Sequence, residues 1–235
     1  MTDANLLNVV LRQDLSSFIA RSFMTLDPGT PYLPNWHIDA IAWQLMRVWR
    51  GECKRLIINV PPRSAKSICV TIGYTAWMMG HDPRKRIRAI SYANELSLKH
   101  AADFRSVVTS GWYRALFPGF AIKTNRKNEI ETSERGSRFA GSIGGSVLGR
   151  GADLIVIDDP INGLDAVLSA AERRRVTEFY DATLYSRLND RINGAIIIVM
   201  QRLHQDDLVG HVLDKEPWEV LSIPAIAMED TTYRI

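Results

Sequence analysis

Short apolar runs recur along the chain, and two of them contain no polar residue. Leu154–Ile157 (LIVI) and Ala195–Met200 (AIIIVM) lack the polar alternation of a strand that has one face in water. Such strands are buried on both faces, which is typical of the centre of a parallel sheet. Three further runs, the last one weaker, complete the set of predicted strands: Leu56–Val60, Ile87–Tyr92 and Glu219–Ile223.

Stretches with helical spacing of apolar residues separate these strands. Asn35 is suited to cap one of them, and Ser169 with Glu172 forms a capping box for another. The predicted helices are Leu6–Leu26, Trp36–Trp49, Lys66–Met79, Glu95–Val108 and Ala170 to about Leu188. Strands that alternate with helices indicate an α/β fold with a mainly parallel sheet flanked by helices.

A chain of 235 residues is long enough for one large domain, or for one with a small appendage. The proline-rich segment DPGTPYLPN predicts a connector. We therefore expect an N-terminal helical element with its connector (1–34), a main domain (35–225) and the beginning of a linker (226–235). No apolar run approaches the roughly 18 residues of a membrane span, and the two cysteines fit no disulfide framework or metal site. These features favour a soluble protein in a reducing cytoplasm.

The segment VPPRSAKS, at Val60–Ser67, follows the first predicted strand and ends like a phosphate-binding loop. A strand, a tight loop, Lys-Ser and a helix together direct backbone N–H groups at phosphate oxygens. Lys66 would then contact the β- and γ-phosphates of ATP, and Ser67 would hold Mg²⁺. Both glycines of G-x-x-x-x-G-K-[ST] are missing, so an ordinary strand–loop–helix turn is the alternative.

The missing glycines change the backbone chemistry of this loop. Ala65 adds a methyl group at a place where glycine would permit a positive φ, while Pro61 and Pro62 remove two N–H donors. Arg63 supplies a positive side chain in compensation. The predicted ATP-binding segment comprises Pro62, Arg63, Ser64, Ala65, Lys66 and Ser67.

Two other predicted strands end in polar residues suited to nucleotide chemistry. Leu154–Ile157 runs into Asp158 and Asp159, which is the form of a Walker B segment. Asp158 would bind Mg²⁺, directly or through water, and Asp159 would orient and deprotonate the attacking water. Gln201, after the next strand, is suited to sensing the γ-phosphate, and Arg202 to contacting phosphate or nucleic acid. The alternatives are two acids that cap a strand and a plain loop.

Together these segments resemble the large terminase subunits of tailed bacteriophages, the motors that pump DNA into procapsids. The resemblance is carried by RLIINVPPRSAKS, GSVLGRGADLIVIDDP and IIIVMQRLHQDDLVGHVL, and it extends to Trp36–Leu45 and to SYANELSLKHAADFR. The loop of that family typically reads PPR-x-G-K-S. Arg63 and the absent first glycine are therefore expected, whereas Ala65 is a departure.

The resemblance implies a P-loop NTPase core of the ASCE, RecA-like type, with an extra strand between the loop strand and the Walker B strand. It implies that ATP, bound with Mg²⁺, is hydrolysed to drive double-stranded DNA into the procapsid in the cytoplasm of the host cell. The implied partners are DNA bound without sequence preference, a portal protein, a small terminase subunit and further copies in a ring. The family also has a C-terminal RNase H-like nuclease domain. Because the sequence ends at Ile235, we expect no nuclease activity.

Further candidates lie around the nucleotide. Trp36, His37 and Gln44 are suited to an adenine pocket, with packing on the sheet as the alternative. Arg150 lies in the glycine-rich segment 141–151, which we expect to be a pliable loop, and it is the first candidate for an arginine finger. Arg63 is the second candidate. Three basic sets are available for DNA phosphates: Arg84–Arg86, Lys123–Lys127 and Arg173–Arg175.

Two other functions fit parts of this pattern. One is another P-loop nucleic-acid ATPase, such as a helicase-like remodeller, although strand separation normally needs a second motor domain. The other is a non-catalytic nucleotide-binding or docking module, for which Ala65 would be the sign of decay. Against decay, Lys66, Ser67, Asp158 and Asp159 are all in place.

Overall fold

The computed structural model describes residues 3–145, 151–226 and 232–233. Over these residues the chain forms strands β1 to β8, which are Arg55–Asn59, Arg86–Ser91, Ile122–Asn125, Glu129–Thr132, Ser137–Ser142, Leu154–Asp158, Ala195–Met200 and Glu219–Ser222. They make one sheet in the order β3-β4-β5-β2-β6-β7-β1-β8. The strands from β5 to β8 in this order are parallel, and β4 is antiparallel to both β3 and β5. The predicted α/β fold with a mainly parallel sheet is confirmed.

Helices flank this sheet. Helices α1 to α9 are Asp3–Gln13, Leu15–Leu26, Trp36–Trp49, Thr75–His81, Asn94–Val108, Gly111–Leu116, Leu164–Leu168, Ala170–Phe179 and Leu208–Leu213. Two π-helices, Ile68–Tyr74 and Tyr180–Leu184, and a 3₁₀ turn at Tyr185–Arg187 complete the helical segments of the described residues. None of the helices described here is both long and apolar enough to cross a membrane.

Side chains of the central strands alternate between two cores. Leu56 and Ile58 of β1 face the layer that contains α2 to α5, whereas Ile57 faces the layer of α8 and α9. Both layers exclude water from the strands, which explains their unbroken apolar sequences. Residues of α2, including Phe18 and Ile19, belong to the same core as the sheet.

Three elements differ from the sequence prediction. The helix predicted at Leu6–Leu26 is broken into α1 and α2, because the Asp14 carboxylate accepts a hydrogen bond from the Ser17 N–H and caps a new helix. The helix predicted at Lys66–Met79 contains the π-helix Ile68–Tyr74. The helix predicted to reach about Leu188 ends as an α-helix at Phe179 and continues as π and 3₁₀ turns to Arg187, so that Tyr180 and Leu184 both enter the second core.

The sequence prediction also missed β3, β4 and β5. Gly141 and Ser142, assigned to a pliable loop, instead end β5, where Ser142 lies beside Ser91 of β2. Residues 146–150 of the same segment lie outside the described part of the chain. The strand β7 lies between β1 and β6, as the resemblance implied. Because parallel strands end at the same edge of a sheet, this order places the loop after β1, the two acids at the end of β6 and Gln201 after β7 next to one another.

Candidate nucleotide-binding site

The loop after β1 holds two non-glycine residues in the left-handed region. Arg63 has φ of 61° and Ala65 has φ of 56°. The Ser64 hydroxyl donates to the Pro61 carbonyl at 2.7 Å and closes the turn. Ala65 therefore adopts the conformation that glycine allows without strain, at a cost of roughly 1–2 kcal/mol for an L-residue.

Lys66 contacts the second acid of the Asp158-Asp159 pair, just after β6. Its Nζ lies 3.0 Å from Asp159 Oδ2, and the lysine is buried. Asp159 has φ of 45°, and its Oδ1 accepts a hydrogen bond from the Gln201 backbone N–H at 3.4 Å. Burial, with the neighbouring Asp158 charge, raises the pKa of Asp159. Residues that follow three different strands thus meet at one carboxylate.

Asp158 has a different environment, although it is the adjacent residue. Its side chain is completely buried, and Oδ2 accepts a hydrogen bond from the Thr71 hydroxyl at 2.5 Å. Burial raises the pKa of Asp158, and the hydroxyls of Thr71 and Ser67 partly oppose that shift. Oδ1 is buried and has no hydrogen-bond partner among the described residues.

These oxygens suit a magnesium ion that is bound together with a nucleotide. No group of three or more His, Cys, Asp or Glu side chains in the described ranges could hold a metal by itself. Mg²⁺ typically takes one or two protein oxygens and completes its shell with phosphates and water. The unpartnered Asp158 Oδ1 and the Ser67 hydroxyl provide hard oxygen donors of that kind.

The three candidates for an adenine pocket all belong to α3 but have different contacts. His37 Nε2 is 3.2 Å from the Ser64 carbonyl oxygen, so this residue contacts the loop. The Trp36 ring packs against Tyr233, with 5.1 Å between ring centroids. Gln44 accepts a hydrogen bond from Arg47, which also pairs with Glu219 where β8 begins. The structure therefore brings His37 to the loop but does not bring Gln44 there.

Three residues beneath the acids escaped the sequence analysis: Thr71, His100 and Arg138. Thr71 could have been suspected, because it lies one helical turn after Ser67. His100 Nδ1 lies 3.7 Å from Asp158 Oδ2. No sequence pattern pointed to Arg138, since it belongs to a strand that was not predicted.

Known proteins match this chain in structure but not in sequence. No family model and no curated protein matches the chain. The large terminase of bacteriophage HK97 superposes with a TM-score of 0.61 at 16% identity, over 94% of this chain and 45% of its own. The chain therefore shares the fold of the matched part of this large terminase. The chain thus spans less than half the length of the HK97 protein.

Two further terminases give lower scores. The large terminase ATPase domain of Thermus phage P74-26 has a TM-score of 0.48 at 13% identity, over 78% of this chain and 70% of its own. The large terminase of a thermophilic bacteriophage, solved in complex with ADP, has a TM-score of 0.46 at 13% identity, over 77% of this chain and 44% of its own.

Within this terminase fold, the predicted arginines have different surroundings. Arg63 is exposed within the loop, and Arg150 lies outside the described residues. Arg202 donates to the Gln205 carbonyl at 3.1 Å. With Arg173 and Arg174 it lines a cleft of about 480 Å³ between α8 and α9.

Several residues of the other two predicted basic sets lie at the opposite edge of the sheet or in ion pairs. Arg86 and Lys123 line a second cleft of about 370 Å³, where β2 and β5 begin. Arg84 pairs with Asp82 at 2.8 Å. The terminase fold alone does not select one of these sets as a DNA surface.

Proposed function

We propose that this chain is the ATP-hydrolysing domain of a DNA-packaging motor. It binds ATP with Mg²⁺ and couples hydrolysis to the translocation of double-stranded DNA. The observation that carries the proposal is the meeting of Lys66, Asp159 and the Gln201 backbone at one edge of the sheet, directly beside the buried Asp158. The likeness in fold to the HK97 large terminase supports the same function.

The ion pair between Lys66 and Asp159 gives each partner a part in the reaction. The phosphates of ATP compete for the Lys66 ammonium, since they carry more negative charge than one carboxylate. Once Lys66 turns to the β- and γ-phosphates, Asp159 is free to accept a proton from the attacking water. Its raised pKa makes it a stronger base than an ordinary aspartate.

Asp158 and Ser67 are the protein ligands proposed for the magnesium ion. When bound, Mg²⁺ neutralises charge on the β- and γ-phosphate oxygens. Asp158 is fixed by Thr71 and keeps Oδ1 available. Gln201 hydrogen-bonds Asp159 through its backbone, so it is placed to relay a change at that carboxylate to the segment that contains Arg202.

The proposed partners are duplex DNA, held through its phosphates, a portal protein, a small terminase subunit and further copies in a ring. An arginine from a neighbouring copy would complete each site, with Arg150 as first candidate and Arg63 as second. We place this activity in the cytoplasm of a bacterial host. The basic clefts that contain Arg86 and Arg202 support contact with a polyanion.

A second candidate function is a nucleotide-binding module without turnover. The specific observation that favours it is Ala65, which has φ of 56° in a loop where glycine is common. Strain of this kind weakens a phosphate loop without removing its lysine. The two candidates differ in hydrolysis and not in binding.

The test is an ATPase and ADP-binding assay on the purified chain, with and without plasmid DNA. We expect hydrolysis that DNA stimulates, and loss of ADP binding in Lys66→Ala. Lys99→Ala, an exposed lysine on α5, is the matched control and should behave like the parent. Parental ADP binding in Lys66→Ala would refute the site, whereas binding without hydrolysis in the parent would select the second candidate.

A further inference from the structure

Arg138 of β5 is an arginine with almost no access to water. Only 2% of its surface is exposed. A buried guanidinium is unfavourable unless a counter-charge and hydrogen bonds compensate for the lost hydration. Its Nη2 donates to the Thr71 carbonyl at 3.2 Å, and its guanidinium lies 4.7 Å from the centroid of the Phe104 ring. Nε has no hydrogen-bond partner among the described residues.

The counter-charge of Arg138 is Asp158, which is also buried. Burial lowers the pKa of Arg138 to about 9, and the Asp158 carboxylate opposes that shift. The arginine therefore remains charged at neutral pH. His100, the other titratable group beside Asp158, adds no charge there, because burial lowers its pKa to about 4. Asp158 and Arg138 thus form a buried pair of opposite charges, and each stabilises the charged form of the other.

Thr71 joins the two charges. Its hydroxyl donates to Asp158 Oδ2, and its carbonyl accepts from Arg138. In a regular α-helix, the Thr75 N–H would occupy that carbonyl. Within the π-helix Ile68–Tyr74 and its end, the Thr75 N–H donates to Ile72 instead, and the Thr71 carbonyl accepts from two side chains in the contacts described: Arg138 and the Thr75 hydroxyl at 2.7 Å. The π turn therefore makes the contact with Arg138 available.

We propose that Arg138 is a positioning residue for the magnesium-nucleotide site, acting on Asp158 through Thr71. Arg138 holds the Thr71 carbonyl, Thr71 holds Asp158 Oδ2, and Oδ1 remains as the oxygen that can serve Mg²⁺ or its water. Without this support, the buried carboxylate loses one of its two positive neighbours, the other being Lys66, and can rotate. The inference rests on the proposed nucleotide site and concerns how that site recognises its metal.

The experiment measures ADP binding by calorimetry over a range of Mg²⁺ concentrations. Arg138→Met removes the charge and keeps a long, flexible side chain, and Thr71→Val removes the hydroxyl. For both we expect unchanged binding of ADP alone and about 10–100-fold weaker Mg²⁺ binding, the usual effect of losing an outer partner of a metal ligand. Thr71→Ser should restore parental behaviour. Ser22→Ala is the matched control, since its buried hydroxyl donates to the Phe18 carbonyl within α2, away from this network.

The outcomes separate this inference from the proposed function. Parental Mg²⁺ dependence in folded Arg138→Met or Thr71→Val would overturn the inference and leave the nucleotide site intact. An equal loss in Ser22→Ala would also overturn it, because general loosening of the core would then be the cause. If Arg138→Met does not fold, Thr71→Val against Thr71→Ser decides. A parent that binds no ADP would overturn both proposals.

Discussion

The proposed nucleotide site has two sides of opposite character. Its floor, made of Thr71, His100, Arg138 and Asp158, is buried, and each residue belongs to a strand or helix. Its rim, made of Arg63, Ala65, Lys66 and Asp159, lies in the segments that follow β1 and β6. Three of the four rim residues have positive φ, and Arg135 is the one other non-glycine residue with positive φ among those described. Backbone strain is therefore concentrated beside the predicted phosphates.

The boundary between floor and rim passes between two adjacent aspartates. Asp158 is fixed by a short hydrogen bond from Thr71, whereas Asp159 is held by a lysine that a phosphate can attract away. Neighbouring carboxylates in different environments commonly take different roles. We therefore assign the metal to the floor, and the phosphates and the proton transfer to the rim.

The largest expected effect is at the rim. Asp159→Asn removes the proposed base and keeps the shape of the side chain, so ATP hydrolysis should fall about 10²–10⁴-fold while ADP binding persists. Phosphate release and calorimetry measure the two quantities. Asp165→Asn, an exposed acid at the start of α7, is the control and should not change turnover. Turnover near the parental rate in Asp159→Asn would move the base elsewhere.

An intermediate effect is expected at the floor and concerns stability. His100 binds a proton near pH 6.5 when unfolded but only near pH 4 when folded, because burial lowers its pKa. The unfolded chain therefore gains this proton first as the pH falls, and the contribution of His100 to the free energy of unfolding should drop by about 3 kcal/mol between these values. His100→Gln should make this drop shallower in urea unfolding. The control His204→Gln, in the loop after β7, should keep the parental slope; an equal change there would contradict the assignment.

The smallest expected effect is relief of strain at the rim. Ala65→Gly removes the cost of a left-handed alanine but adds freedom to the unfolded chain, so stability should rise by no more than about 1 kcal/mol. ADP should bind as well or a few-fold more tightly. Ala102→Gly, in the middle of α5, should instead destabilise by about 1 kcal/mol. Thermal unfolding distinguishes the two signs, and destabilisation by Ala65→Gly would argue against strain at this position.

The floor and the rim also differ in how far the sequence predicts them. Both central strands carry unbroken apolar runs, and polar residues follow where each run stops. Because parallel strands end together, the sequence alone brings Lys66, Asp159 and Gln201 to one edge, and the structure places them in contact. The rim residues are visible in the sequence, because prolines and polar side chains that directly follow an apolar run mark the end of a buried strand.

The sequence does not predict the residues of the floor other than Asp158, and the reasons are physical. Arg138 follows a serine and precedes a glycine-containing segment, and its charge alone would favour an exposed position. Only the strand β5, which was not predicted, carries it inside. The neighbouring strands Ile122–Asn125 and Glu129–Thr132 are short and largely polar, so they lack an apolar signal. The contacts of the π turn at Thr71 come from distant segments, which no local pattern contains.

The most direct test of the division between floor and rim compares the two aspartates in one experiment. Calorimetry would measure the affinity of ADP with and without Mg²⁺ in the parent, in Asp158→Asn and in Asp159→Asn. We predict that Mg²⁺ strengthens ADP binding in the parent and in Asp159→Asn, but not in Asp158→Asn. Equal dependence on Mg²⁺ in the two variants, or its loss only in Asp159→Asn, would contradict the account.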